Sequence, residues 1–183
     1  MGGFLREIFI TLLVALVLSF GIRHYLIVLS PISGPCMLPN LHTGEQALIN
    51  KLAYRFGNIP HRGNVIVLIP PVSLNSENDY IKRIIGLPGE KVELSGGKVY
   101  IHQAEGNTFA LDEPYVKYPS LQNYMSDVIQ PGRYFVMGDN RINSSDSRGG
   151  WTVGLDDIVG RAWLVTWPFS SIGLAPNFVL PQG

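Results

Sequence analysis

Residues 90–102 read EKVELSGGKVYIH, and this stretch decides the fold class. Val92 and Leu94 alternate with charged residues before the turn, and Val99 and Ile101 alternate with polar ones after it. Gly96 and Gly97 stand between the two runs. A period of two on both sides of a glycine turn is the pattern of a β-hairpin with one buried face. The same pattern extends outward in QALIN (46–50), NVIVLI (64–69), YIKRIIG (80–86), RYFVMG (133–138) and GRAWLVTW (160–167), bounded by Gly, Pro, Asn and Asp. Together these runs predict a mostly β chain, an antiparallel and barrel-like sheet. Residues 103–130 are polar and irregular, and read as loops or an inserted excursion. No long amphipathic helical pattern and no internal repeat follows residue 29.

A length of 183 residues is enough for one domain with a real core. Lysine and arginine total 14, and aspartate and glutamate total 14. With no charge excess, long-range recruitment of nucleic acid is not expected. Cys36 is the single cysteine, so an internal disulfide is excluded. His24, His42, His61 and His102 are scattered without ligand spacing, so neither a metal nor another cofactor is expected. Composition leaves the oligomeric state open.

The N-terminus departs from this composition. IFITLLVALVLSFGI runs from Ile8 to Ile22 without a charge, between Glu7 and Arg23. With Phe4, Leu5 and the following HYLIVL (24–29), it approaches the roughly 20 residues of a membrane helix. A cleaved signal peptide and a buried core helix compete with that reading. The absence of an A-x-A-like site at the end of the run favours a retained anchor over residues 1–29. Arg6 before the run and Arg23 after it leave its orientation open.

Three segments carry residue types fit for chemistry. In DYIKRIIGLPGE (79–90), a strand places Tyr80, Lys82 and Ile84 on one face and Ile81, Arg83 and Ile85 on the other. Between an aromatic and an aliphatic neighbour, Lys82 is partly desolvated, which favours the neutral amine that a general base needs. The alternative is that Lys82 reaches solvent and Arg83 makes a surface pair. GDNRINSSDSRGG (138–150) follows an apolar strand and offers an Asp146–Arg148 ion pair with hydroxyls from Ser144, Ser145 and Ser147. Such groups either knit a loop together or orient a nearby lysine. In SGPCMLPNL (33–41), the prolines argue against regular structure around Cys36. The cysteine is then a constrained, reactive thiol or a small buried hydrophobe.

Taken in order, these segments resemble the type I signal peptidase family, membrane-anchored proteases of the serine–lysine dyad class. SGPCMLPNL stands where that family has G-x-S-M-x-P-T-L, YIKRIIGLPGE matches its lysine box, and GDNRINSSDSR matches its last box. RGNVIVLIPP and GKVYI also resemble the family's intervening strands. The resemblance implies a β domain over residues 30–183, lying against the membrane behind a single span. It implies removal of signal peptides from exported preproteins at the cell membrane, with the catalytic domain on the extracytoplasmic side. The implied partners are preprotein signal peptides and the lipid bilayer.

By the same resemblance, position 36 is the nucleophile, Lys82 the general base and Ser144 the hydroxyl that holds the lysine. Asp146 and Arg148 form a structural pair, Met37 and Pro39 shape the nucleophile turn, and the Cys36 N–H contributes to an oxyanion hole. Three departures stand out. Cys36 replaces the family serine, Asn40 replaces its threonine, and Gly34 lies where some relatives carry a second hydroxyl. Sulfur is larger than oxygen, so an impaired or inactive homologue that only binds signal peptides is the alternative.

Overall fold

A computed structural model describes residues 2–21, 25–76 and 78–182. Among the described residues, helix α1 (Gly2–Gly21) comes first, followed by twelve strands. These are β1 (Ile27–Pro31), β2 (Gln46–Asn50), β3 (Val65–Leu68), β4 (Tyr80–Gly86), β5 (Lys91–Ser95) and β6 (Lys98–His102). The remainder are β7 (Thr108–Ala110), β8 (Tyr124–Met125), β9 (Arg133–Met137), β10 (Val153–Gly154), β11 (Ile158–Trp167) and β12 (Gly173–Leu174).

The strands make two antiparallel sheets, as the alternating runs predict. The larger has the order β1-β2-β11-β3-β4-β9-β10 with β12 on β11, and the smaller has the order β7-β6-β5-β8. Register shifts on β11 against β2 and β3 bend the larger sheet. The hairpin expected within residues 90–102 is present, with Lys91 opposite His102 and Ser95 opposite Lys98. Gly96 and Gly97 take φ of 58° and 79° there, the left-handed geometry of a two-residue turn that glycine adopts without strain.

Alternation along the central strands divides the core. Val65 and Val67 of β3 face one apolar cluster with Met37, Leu41 and Ile49, while Ile66 and Leu68 face another with Ile84 and Val136. A third cluster fills the space under the smaller sheet, around Val92, Leu94, Ile101 and Phe135. Strand β4 is buried on both faces, which is why YIKRIIG is apolar apart from its two cations.

Two expectations change. The apolar stretch does not continue as helix through residue 29, because Ile27–Pro31 pairs with β2 along all five of its residues. A boundary at residue 29 therefore falls inside β1. The polar stretch 103–130 is mostly loop, but it contributes β7 to the edge at β6 and β8 to the edge at β5. Short edge strands of two and three residues carry too few alternations to read from sequence. The core-helix alternative also falls: Gly3–Gly21 has a mean hydropathy of 2.0 with none of the window buried, long and apolar enough to cross a membrane. Met1, residues 22–24 with Arg23 and His24, Glu77 and Gly183 lie outside the described residues.

Candidate active site

Cys36 lies in the connection between β1 and β2. Leu38 N–H donates to the Pro35 carbonyl at 3.2 Å, and the Asn40 and Leu41 N–H groups both donate to the Met37 carbonyl at 3.0 Å. The resulting coil is pinned by Met37 and Leu41, whose side chains are fully buried. Truncating either to alanine costs about 2–5 kcal/mol. Gly34 enters the coil at φ 84°, a conformation costly for any residue with a Cβ. The Leu38–Pro39 peptide is cis. This coil leaves Cys36 half-buried, packed on one side against the core and open on the other. Among the described residues no acceptor holds the Cys36 N–H, so it is available to a ligand oxygen.

Lys82 comes from the middle of β4 and is 3% exposed. Its Nζ donates to Cys36 Sγ at 3.1 Å and to the Ile81 carbonyl at 3.0 Å, and lies 4.9 Å from the centre of the Tyr80 ring. Tyr80 and Lys82 thus share a face, as strand alternation predicts. No carboxylate pairs with Lys82 among the described residues. The thiol and amine open onto a cleft of about 230 Å³ lined also by Ser33, Asp79, Ile81, Asn143 and Ser145.

Arg83 points the other way and is not a surface cation. It is fully buried and makes a two-pronged pair with Asp139, Nε to Oδ1 at 2.8 Å and Nη2 to Oδ2 at 2.6 Å. Its remaining donors reach the Gly63 carbonyl at 2.8 Å and the Pro176 carbonyl at 2.7 Å. The Tyr115 ring stacks on the guanidinium at 4.1 Å. Desolvation alone makes a buried cation expensive, and here every face of it is matched.

The loop after β9 closes the site from above. Asp146 accepts from Arg148 Nε at 2.8 Å and Nη2 at 2.9 Å, and also from the Gly138 N–H at 3.1 Å. The pair therefore ties the loop back to the end of β9. The Ser147 Oγ accepts from the Val136 N–H at 2.9 Å and makes no hydrogen bond to Lys82. Ser144 makes no hydrogen bond to Lys82. Its Oγ is buried without a hydrogen-bond partner among the described residues, and both it and the Cys36 carbonyl oxygen lie against Gly138. Gly138 permits a close approach here: a Cβ there would fall 2.5 Å from the Cys36 oxygen and collide with Ser144 Oγ.

Several positioning contacts are not readable from the sequence. Asn140 N–H donates to the Cys36 carbonyl at 2.9 Å, and its Nδ2 donates to the Pro35 carbonyl at 3.1 Å. Asn40 Nδ2 bridges the Tyr115 carbonyl and Asp139 Oδ2, both at 2.8 Å. Arg141 pairs with Glu113 at 2.9 and 2.5 Å, fixing the excursion against the loop. The only signal in the sequence is the polar cluster directly after an apolar strand. No group of three or more His, Cys, Asp and Glu gathers to hold a metal among the described residues. A thiol beside a buried amine, next to an open N–H, is an arrangement for nucleophilic attack with proton transfer.

Comparison with known proteins matches the chain to one family. Residues 5–167 match the family described as signal peptidase, peptidase S26. The chain is 36% identical to a probable signal peptidase I-2 of Synechocystis over 167 residues, 90% of this chain and 74% of that protein. It is 35% identical to signal peptidase IB of Staphylococcus aureus over 185 aligned positions, covering 91% of each. A crystal structure of a signal peptidase I from Enterococcus faecalis aligns at 29% identity with a TM-score of 0.44, over 57% of this chain and 97% of that one. On the extent of the sequence matches, the chain belongs to the signal peptidase, peptidase S26, family.

Proposed function

We propose that this protein is a membrane-anchored endopeptidase that removes N-terminal signal peptides from exported preproteins, with Cys36 as nucleophile and Lys82 as general base. The observation that carries the reading is the 3.1 Å contact between Cys36 Sγ and Lys82 Nζ at the edge of an open cleft. Lys82 takes the thiol proton as sulfur attacks the scissile carbonyl, and returns it to the leaving amine. The acyl-enzyme is a thioester, and the same amine then activates water. The Cys36 N–H, free of other acceptors among the described residues, donates to the oxyanion that develops.

The helix supports a placement at the lipid bilayer, where the substrate's own apolar segment lies. A single span over Gly3–Gly21, with the β domain from β1 onward on the extracytoplasmic side of the cell membrane, brings the cleft to the emerging preprotein. Met37 and Pro39 shape the nucleophile turn, while Asp146 and Arg148 hold the loop above it.

One observation favours a second reading, an impaired homologue that binds signal peptides without turning them over. Sulfur stands where the family has oxygen, and Ser144 does not hold the lysine. The test is incubation of a preprotein bearing an A-x-A site with the protein in detergent, beside Cys36→Ser. Cleavage after the A-x-A site by the protein itself supports the peptidase. Binding without cleavage, with cleavage restored by Cys36→Ser, supports the second reading.

A further inference from the structure

We propose that Lys82 Nζ is also an acyl acceptor, so that a thioester on Cys36 rearranges onto the lysine as a stable amide. The natural donor rests on the proposed peptidase reading: the carboxyl end of a signal peptide, terminating in a small residue. The rearrangement itself rests on geometry alone.

Nζ lies 3.1 Å from Sγ. In the acyl-enzyme the carbonyl carbon is one covalent bond from Sγ, so rotation about the Cβ–Sγ and Sγ–C bonds can carry it into the approach distance of about 3–3.5 Å at which held groups react. The amine is buried, is fixed by the Ile81 carbonyl at 3.0 Å, and makes no ion pair with a carboxylate among the described residues, although Asp79 lines the same cleft. By then it has also passed its proton to the departing amine, so its lone pair is available. Water must diffuse in and be activated, whereas the lysine is already there; such held pairs reach effective concentrations on the order of 10⁵ M or more.

The step balances without any co-reactant. The Nζ lone pair forms a C–N bond at the carbonyl carbon, the C–S bond breaks with its electrons to sulfur, and the ammonium proton passes to the thiolate. Thioester and amine become amide and thiol. A thiolate leaves readily because its conjugate acid has a low pKa, about 8.5 for a free cysteine. The alkoxide of a serine at position 36 leaves far less easily, so the branch belongs to sulfur. An acylated lysine can no longer act as a base, and catalysis in that molecule stops.

The test uses the full chain in detergent and an N-acetyl-alanyl thioester of a small thiol, which loads Cys36 by thiol–thioester exchange without any peptide cleavage. After loading, hydroxylamine discharges thioesters and spares amides. The expected result is an acetyl-alanyl adduct that survives hydroxylamine and maps to Lys82. With Lys82→Met the adduct maps to Cys36 and is lost, and with Cys36→Ala the Lys82 amide falls by about tenfold or more. An adduct on the unaltered protein that hydroxylamine removes, or rapid release of free acid with nothing on Lys82, overturns the proposal. The unaltered protein alone decides this, whatever the folding of the variants. A second arm offers an A-x-A preprotein. An amide on Lys82 from the thioester with no preprotein cleavage keeps this inference and removes the peptidase reading.

Discussion

The Asn140 N–H donates to the Cys36 carbonyl at 2.9 Å, and the Asn140 side chain donates to the preceding Pro35 carbonyl at 3.1 Å. One residue on the loop after β9 thus holds two consecutive carbonyls of the nucleophile coil. The thiol's position relative to Lys82 depends on a contact that spans most of the chain. Asn140→Ala keeps the backbone bond and loses the side-chain bond. The expected cost is about 1 kcal/mol of stability. A displacement of the thiol by about 1 Å lowers activity by up to about 100-fold. Comparing urea midpoints with the alkylation rate of Cys36 separates the two effects. An unchanged rate of both alkylation and cleavage would show that the coil holds its shape alone.

Gly138→Ala tests the close approach beneath Ser144. A methyl group there meets the Cys36 carbonyl and Ser144 Oγ, so the loop or the coil must move. Overpacking of this kind costs about 1–3 kcal/mol. Cleavage falls further than stability, because the displaced element carries the nucleophile. A crystal structure of the variant with Cys36 and Ser144 unmoved would contradict the packing argument.

Arg83 and Asp139 form a pair with both side chains at 0% exposure. Removing one partner leaves a buried charge, at a cost of about 3–5 kcal/mol. Arg83→Met and Asp139→Leu are each expected to destabilise strongly, with the double variant recovering a substantial part. Arg83→Lys recovers little, since an ammonium cannot make the forked contact. Additive losses in the double-variant cycle would deny the coupling.

Tyr115 supplies a pH dependence. Burial, followed by the neighbouring Glu113 carboxylate, pushes its phenol well above the ordinary tyrosine value. A folded-state value raised above the unfolded one stabilises below the unfolded pKa, about 10, and that contribution is lost as pH rises beyond it. Urea midpoints taken from about pH 8 to about pH 11 should fall more steeply for the unaltered protein than for Tyr115→Phe. Parallel slopes would remove Tyr115 from the alkaline limb.

Truncation locates the domain boundary. Removing residues 1–25 takes away an unburied helix, and cooperative unfolding should persist at a similar temperature. Removing residues 1–31 also deletes β1 and exposes the edge of β2, which should lower the melting temperature and promote aggregation. Equal stability of the two forms would show that β1 does not belong to the folded core.

Much of the fold is legible in the sequence, for definite reasons. Strands with a buried face write their period of two into the chain, so β2, β4 and β6 read at their observed bounds. The same period sends Lys82 and Arg83 to opposite faces of β4. β1 stays hidden because its Ile27, Val28 and Leu29 continue an apolar run that already has an explanation. The contacts that set the site are hidden for another reason. Asn40 and Asp139 meet across 99 positions, and neither residue type announces a partner. Family resemblance assigns Ser144 to the lysine, whereas its buried hydroxyl has no hydrogen-bond partner among the described residues and lies against Gly138.

The most direct measurement is a single-turnover experiment with excess protein over an A-x-A preprotein, scored for release of the mature chain. A working Cys36–Lys82 pair predicts release by the unaltered protein and none above background from Cys36→Ala or Lys82→Ala, both folded by circular dichroism. Release by either alanine variant at the rate of the unaltered protein would contradict the assignment of that pair.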